Sequence, residues 1–176
     1  MKVLGGTLDY PPGKDSLFVL ARTINDFMPR HMFTLTMSGL ARVNKPMQGA
    51  KIALLGWAFI ANSDDARNMP AELVRDLVRN AGGTVAVHDP WVDSYPGVPI
   101  DYDIDAVLAS ADAVVIFTSH NEYRQISPAG IRKASGCDPI VIVDGRNVID
   151  PDMFIKAGFV YKGIGRGDVN NHPLED

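Results

Sequence analysis

The chain has 176 residues, of which 46% are apolar and 22% are charged, and its formal net charge is −4. This composition is typical of a soluble globular protein, and the acidic balance disfavours nucleic acid or a membrane surface as a partner. No apolar run reaches the roughly 20 residues that cross a bilayer, and a single cysteine excludes an internal disulfide. We therefore expect a cytoplasmic protein.

The N-terminal part of the sequence predicts two helices ahead of the main domain. After a stretch rich in glycine and proline, apolar residues recur at three- and four-residue steps over residues 15–27. Pro29 is expected to interrupt this helix, and a second one is predicted over residues 30–43. We assign residues 1–48 to these helices and a linker, and residues 49–176 to a Rossmann-like domain.

From residue 51 onward, predicted strands and helices alternate. Most of the strands are continuous apolar runs, as in a parallel sheet that helices cover on both faces. Since crossovers between parallel strands are right-handed, the pattern predicts an α/β fold, a three-layer doubly wound domain with a mainly parallel five-stranded sheet. The predicted strands are 51–55, 84–90, 113–119, 139–145 and 159–165, and the predicted helices are 71–81, 103–111, 127–135 and 151–157.

Polar residues follow several of these strands at their carboxyl ends, where doubly wound sheets bind ligands. Two of them, Arg67 and Arg146, could hold a phosphate or pyrophosphate through forked hydrogen bonds. Backbone amides at the following helix starts would add to such an anion site. The other candidates are Asn62, Ser63, Asp64, Asp65, Asp89, Thr118, Ser119, His120, Asn121, Asp144 and Asn147.

Several of these residues also have a purely structural interpretation. Asp64 and Asp65 suit the start of a helix as well as they suit a ligand. Asp89, which precedes a proline, is more typical of a turn that ends a strand. Asp144 and Arg146 fit an ordinary turn at the end of a strand, in which Arg146 pairs internally with Asp144.

The sequence shows no metal-ligand spacing among its histidines and no usual dinucleotide fingerprint. His120 is interpreted as a solvated or hydrogen-bonded loop residue rather than a base, and Cys137 as a thiol without a role. After the first predicted strand, Gly56 is followed by Trp57 rather than by the G-x-G-x-x-G pattern. We therefore expect that this domain does not hold NAD in the usual Rossmann manner.

Five stretches of sequence resemble one known family. Four of them occur in order at natural spacing between Gly49 and Gly167, and the fifth precedes them. Together they resemble the C-terminal, UDP-binding part of the UDP-glucose/GDP-mannose dehydrogenase family, and most closely the UDP-N-acetyl-hexosamine (mannosaminuronate-type) dehydrogenases. The stretches are KIALLGWAFIANSDDARNMPAELVRDLVRNAGGTVAVHDPWV, ADAVVIFTSHNEYRQI, IVIVDGRNVID, GFVYKGIGRG and the earlier LARTINDFMPRH.

The resemblance implies the substrate-binding part of an NAD-dependent nucleotide-sugar 6-dehydrogenase, which oxidises a UDP-sugar to a UDP-uronate in two steps. Phe59 would lie against the nucleotide, and Arg146 would contact the substrate near its diphosphate. Asp144 and Asn147 belong to the same substrate-binding segment, and Arg67 would reach the NAD that another domain holds. The helices of residues 1–48 would help to make a homodimer.

The chain also departs from the family pattern. Ile60 stands where the family usually has a lysine, and the family's catalytic cysteine, catalytic lysine and dinucleotide-binding glycines are not found. We therefore expect no catalytic residue and no turnover from this chain by itself. One alternative is a free-standing regulatory or scaffold domain that self-associates through its N-terminal helices. Another is a phosphoacceptor domain built on Asp89 or Asp144, which lacks the acidic cluster that such a domain needs.

Overall fold

The computed structural model describes residues 17–67, 69–138 and 140–166. Six parallel strands form one sheet in the order β3-β2-β1-β4-β5-β6. The strands are β1 (Lys51–Leu55), β2 (Thr84–His88), β3 (Ile100–Asp101), β4 (Ala113–Ile116), β5 (Val141–Asp144) and β6 (Val160–Gly163). The helices are α1 (Leu17–Arg42), α2 (Pro70–Asn80), α3 (Ile104–Leu108), α4 (Pro128–Ser135) and α5 (Pro151–Lys156), and a 3₁₀ helix spans Asn121–Gln125.

Buried side chains fill both faces of the sheet, which gives the three layers. Every residue of β4 and β5 is buried, as the continuous apolar runs predicted. Ile52 and Val143 belong to the core beneath α1 and α2, whereas Ala53 and Ile142 belong to the core on the opposite face. Successive strand residues point to opposite faces, so one continuous apolar run supplies both cores. The predicted α/β doubly wound fold is confirmed.

Local signals begin and end the shorter helices. Asp103, Ser127 and Asp150 each cap a helix by accepting hydrogen bonds from backbone amides of its first turn. Gly136 ends α4 in the left-handed conformation that glycine adopts readily. Because all six strands run parallel, the loops that follow them begin at the same edge of the sheet.

Two details of the sequence prediction are wrong. The N-terminal region that the structure describes holds one continuous helix, α1, in which Pro29 is an internal residue, rather than two helices. Proline removes one helical hydrogen bond, and the helix continues because residues after it are anchored in the core. The sheet also has a sixth strand, β3, whose two residues are too few to form a recognisable apolar run. The predicted helix start at residue 15 lies outside the described residues.

The second half of α1 packs directly on the sheet. Met32, Thr36 and Leu40 are buried, and Gly39 lies so close to Val141 that a Cβ atom there would collide with it. Residues 17 and 19–27, at the start of the helix, are exposed to solvent. None of the helices in the described part of the chain is long and apolar enough to cross a membrane. The domain boundary at residue 48 stays a prediction.

Candidate functional site

A cavity of about 280 Å³ opens at the carboxyl edge of the sheet, between that edge and the middle of α1. One wall comes from the ends of β1, β4 and β5, with Gly56, Thr118 and Arg146. The other comes from α1, with Met28 and Met32. The cavity therefore lies where ligands bind in doubly wound sheets.

The loop after β1 is held in place by the carboxylate of Asp89, the residue that follows β2. Its Oδ2 accepts hydrogen bonds from the amides of Trp57 at 2.6 Å and Ala58 at 2.7 Å. Its Oδ1 accepts from the amides of Trp91 at 2.8 Å and Val92 at 3.0 Å. Asp89 thus fixes its own turn, as the structural interpretation predicted, and it also fixes the neighbouring loop at the cavity wall.

Asp89 is fully buried, yet its carboxyl group ionises easily. Burial by itself would raise its pKa. The hydrogen bond from His120 and those from the amides of Ala58 and Trp91 outweigh burial and lower the pKa from 3.8 to about 2. The His120 imidazole lies 3.2 Å from the carboxylate through Nε2, and its Nδ1 accepts a bond from the amide of Asn62 at 2.9 Å. Since Nδ1 accepts, the proton of a neutral imidazole lies on Nε2.

Of the two structural interpretations of His120, solvated or hydrogen-bonded, the structure shows the hydrogen-bonded one, since this loop residue is fully buried. It joins the loops after β1, β2 and β4, and the Asn62 side chain reinforces this connection by accepting from the amide of Asn121 at 3.1 Å. The Thr118 hydroxyl also donates to the carbonyl of Ala58. These contacts make the edge of the sheet a cross-linked platform rather than a set of independent loops.

The loop after β5 is organised by Asp144 in a similar way. Its side chain accepts hydrogen bonds from the amides of Arg146 at 2.9 Å, Val148 at 2.7 Å and Ile149 at 3.1 Å, and from the Tyr161 hydroxyl at 3.2 Å. The predicted pairing of Arg146 with Asp144 thus runs through the Arg146 amide. The guanidinium group turns away and donates from Nε to the carbonyl of Phe117 at 2.9 Å.

The loop that contains Arg67 forms an exposed ion pair of its own. Arg67 binds Asp65 in a forked arrangement, with Nε–Oδ1 at 2.8 Å and Nη2–Oδ2 at 2.7 Å. The bonds from the Arg67 side chain, and then that from its amide, lower the pKa of Asp65 from 3.8 to about 2. The interpretation of Asp64 and Asp65 as helix caps is wrong, because Met69 is the N-cap residue of α2.

The structure brings some of the predicted site residues together and separates others. Phe59 and Arg146 both line the cavity, whereas Arg67, in the loop between β1 and α2, is not part of the cavity wall. Asp144 is buried, and Asn147 is exposed with a left-handed backbone (φ 54°). The cavity residues that the sequence analysis did not single out come mainly from α1 and the start of α2: Asn25, Met28, Met32, Met69, Pro70 and Ala71.

No group of three or more histidine, cysteine, aspartate or glutamate side chains within the described ranges is arranged to hold a metal ion. The first turn of α2 reaches the cavity, and its N-cap Met69 makes no side-chain capping bond. The positive end of that helix is therefore available to an anion. Together with the Arg146 guanidinium and the apolar side chains, this arrangement suits a ligand with an anionic part and a flat apolar part.

Residues 53–151 match the model of the UDP-glucose/GDP-mannose dehydrogenase family, UDP binding domain. The chain belongs to this family. A UDP-N-acetyl-D-mannosamine dehydrogenase from Pyrococcus horikoshii is 36% identical over 154 residues, which are 87% of this chain and 34% of that protein. A UDP-glucose 6-dehydrogenase from Rhizobium meliloti is 34% identical and aligns with 73% of this chain and 30% of its own length.

Among solved structures, that of an NDP-N-acetyl-D-galactosaminuronic acid dehydrogenase from Methanosarcina mazei Go1 is 53% identical and superposes with a TM-score of 0.90. The match covers 97% of this chain and 36% of that one. The chain thus spans about a third of the length of these relatives. Within the family it corresponds to the UDP binding domain.

Proposed function

We propose that this chain binds the nucleotide part of a UDP-sugar in the cavity at the carboxyl edge of its sheet. It does so as part of an NAD-dependent dehydrogenase that oxidises the UDP-sugar to a UDP-uronate. The observation that carries the proposal is the position of Phe59 and Arg146 on one cavity in a chain that matches a UDP binding domain. A UDP-N-acetyl-hexosamine is the proposed substrate class, because the Pyrococcus relative is named for such a sugar.

The two residues supply complementary contacts. Phe59 is 47% exposed, so its ring has free surface for a nucleoside. Arg146 uses Nε to bind the Phe117 carbonyl, and no described residue bonds its Nη1 or Nη2. These terminal nitrogens can grip a diphosphate in a forked geometry. Asn147 and Asp144 belong to the same proposed substrate segment, in which Asp144 acts by holding the loop.

Calorimetric titration with UDP tests the binding proposal. Arg146→Gln should weaken UDP binding roughly 10- to 100-fold, because charge-assisted hydrogen bonds to the diphosphate are lost. Arg79→Gln is the matched control, since Arg79 lies in the last turn of α2, away from the cavity, and its loss should leave the affinity unchanged. Absence of binding at millimolar UDP to the folded wild-type chain would contradict the proposal.

The dehydrogenase activity needs parts that have no counterpart in the described residues. NAD is proposed as the cofactor and would be held mainly by another domain, with Arg67 reaching toward it from the edge of the sheet. The chain by itself should therefore reduce no NAD when supplied with a UDP-sugar. Appearance of NADH in that assay would show that the catalytic parts are misassigned.

The exposed face of α1 supports a second proposal, a homodimer formed through this helix. Leu17, Leu20, Ile24 and Phe27 are each more than half exposed. A stripe of this kind favours association. It also supports the alternative of a regulatory or scaffold domain that self-associates. Light scattering on the wild type and on Leu20→Gln/Ile24→Gln tests both, and a monomeric wild type would contradict them.

A further inference from the structure

Residues 59–65, in the loop after β1, form a closed turn beside the cavity, which we call the Phe59 turn. The amide of Phe59 donates to the carbonyl of Asp65 at 2.8 Å, and the Ser63 hydroxyl donates to the carbonyl of Ile60 at 3.1 Å. Phe59 lines the cavity and is half-exposed. These bonds hold the turn together, but they do not attach it to the rest of the domain.

Asn62 attaches the Phe59 turn to the loop after β4. Its amide donates to Nδ1 of His120 at 2.9 Å, and its side-chain oxygen accepts from the amide of Asn121 at 3.1 Å. Among the described residues, no other hydrogen bond links residues 59–65 to a part of the chain beyond Arg67. The backbone at Asn62 is left-handed (φ 57°), a conformation that costs free energy for residues other than glycine and so needs such contacts.

The His120 ring gives the Phe59 turn a rigid point of attachment. Its Nε2 lies 3.2 Å from Oδ2 of Asp89, and a carboxylate only accepts hydrogen bonds. The proton of the neutral ring therefore lies on Nε2, and the lone pair of Nδ1 is left for the Asn62 amide. The ring is fully buried and meets Tyr123 edge-on, with 5.4 Å between ring centroids. Asp89 and Tyr123 thus fix the ring independently of the turn.

We propose that His120 is a positioning residue for the nucleotide: through Nδ1 and the amide of Asn62 it holds Phe59 where the ring can stack on the bound base. This inference rests on the proposed function, because it explains how the contact of Phe59 with the nucleoside is kept in place. Phe59 lies between two attachment points, the Ala58 amide bound by Asp89 and the Asn62 amide bound by His120. Loss of the second would free the turn, and a bound nucleotide would then have to order it at a cost in affinity.

Two substitutions of His120 separate positioning from stability. The Oδ1 atom of asparagine lies where Nδ1 of histidine lies along the side chain, so His120→Asn keeps an acceptor for Asn62 and loses the contact with Asp89. The amide nitrogen of glutamine reaches the place of Nε2, so His120→Gln keeps a donor for Asp89 and loses the acceptor for Asn62.

Calorimetric titration of the full chain with UDP should rank these variants by their bond to Asn62. His120→Gln should bind UDP roughly two- to tenfold more weakly, which is the contribution of one aromatic contact, and His120→Asn should bind it nearly as the wild type does. Urea unfolding should rank the two variants in the opposite order, because His120→Asn leaves the buried Asp89 carboxylate with one donor fewer.

Phe59→Ala tests whether the effect passes through the aromatic ring. In that background His120→Gln should weaken UDP binding no further. Hydrogen exchange on the wild type needs no variant, and UDP should slow the exchange of the Asn62 amide.

Three results would each overturn the inference. These are UDP affinities that follow the stabilities of the two His120 variants, additive losses in the Phe59→Ala/His120→Gln variant, and an Asn62 amide whose exchange does not respond to bound UDP. A folded wild type that binds no UDP would instead overturn the proposed function on which the inference rests.

Discussion

Asp65 and Asp89 show how differently two carboxylates can reach the same acidity. Both follow strands of the sheet, and both have a pKa of about 2. Asp65 owes this to one arginine, Arg67, whose side chain is 85% exposed. Asp89 is fully buried and owes it to His120 and backbone amides of two loops. A low pKa therefore does not indicate how much structure depends on a group.

The largest expected effect is on the free energy of unfolding, which should differ strongly between variants of Asp89 and Asp65. Asp89→Ala should lower the free energy of unfolding by about 3–5 kcal/mol, because it leaves buried amides and the His120 imidazole without their acceptor. Asp65→Ala should have a much smaller effect on the free energy of unfolding, because solvent screens an exposed ion pair. Urea denaturation of both variants measures the difference, and equal losses would refute the comparison.

A substitution at Gly56, next to the Trp57 amide that Asp89 binds, tests how much stability depends on these buried contacts. Gly56 has φ +93°, and a Cβ atom there would lie 2.7 Å from the Thr118 amide nitrogen. Gly56→Ala should therefore cost about 2–4 kcal/mol of unfolding free energy. Gly97→Ala is the control: it shares a positive φ of +74° but meets no atom within 4 Å, so backbone strain alone should cost about 1 kcal/mol.

Acid titration tests the linkage between Asp89 and stability. The folded pKa of about 2 lies below the ordinary value of 3.8, so the ionised group stabilises the fold above about pH 4, and that contribution is lost as pH falls toward 2. The loss should amount to about 2 kcal/mol. Urea unfolding at several acidic pH values measures it. Asp89→Asn should flatten this dependence, and an unchanged slope would show that other groups cause it.

The smallest expected effect concerns the exposed pair. Arg67→Gln should raise the pKa of Asp65 toward 3.8, because it removes the two side-chain hydrogen bonds that hold the carboxylate ionised. The free energy of unfolding should change little, because solvent screens this exposed pair. An NMR titration of the Asp65 carboxyl carbon measures the shift. Arg146→Gln is the control, and a similar shift of Asp65 in that variant would contradict the local pairing.

Most of the fold was predictable because its signals are local. Continuous apolar runs such as residues 141–144 predicted buried parallel strands, and all of that strand is buried. The failure at Pro29 has a physical cause, since the cost of one lost helical bond is offset by tertiary packing of the residues that follow. Strand β3 was missed because two residues carry no periodicity.

The sequence predicted that the site lies at the carboxyl edge of the sheet, but not the contacts within the site. Strand ends placed the loops after β1 and β5 on one edge, as the parallel sheet requires, but of the two arginines only Arg146 lines the cavity. The pairing of Arg67 with Asp65, two residues away, was within reach of a local argument. The contacts of Asp89 with the loop after β1 span more than 30 residues, and periodicity cannot indicate which carboxylate meets which amide.

The contribution of α1 to the cavity was also out of reach. Its apolar spacing predicts a buried face but not the end of the sheet that this face meets. The cavity exists because the middle of the helix, around Met28 and Met32, crosses the carboxyl edge. Tertiary placement of one helix therefore decides whether a row of polar loops becomes a pocket.

The two residues of β3 bear on how molecules of this protein behave at high concentration. Strand β3 is the outermost strand on its side of the sheet, and it pairs with β2 only through Ile100 and Asp101. A long, flat outer strand would offer a row of unpaired peptide groups on which another polypeptide could extend the sheet. An edge strand of two residues offers few peptide groups with which another strand could pair. This edge of the sheet therefore disfavours edge-to-edge aggregation.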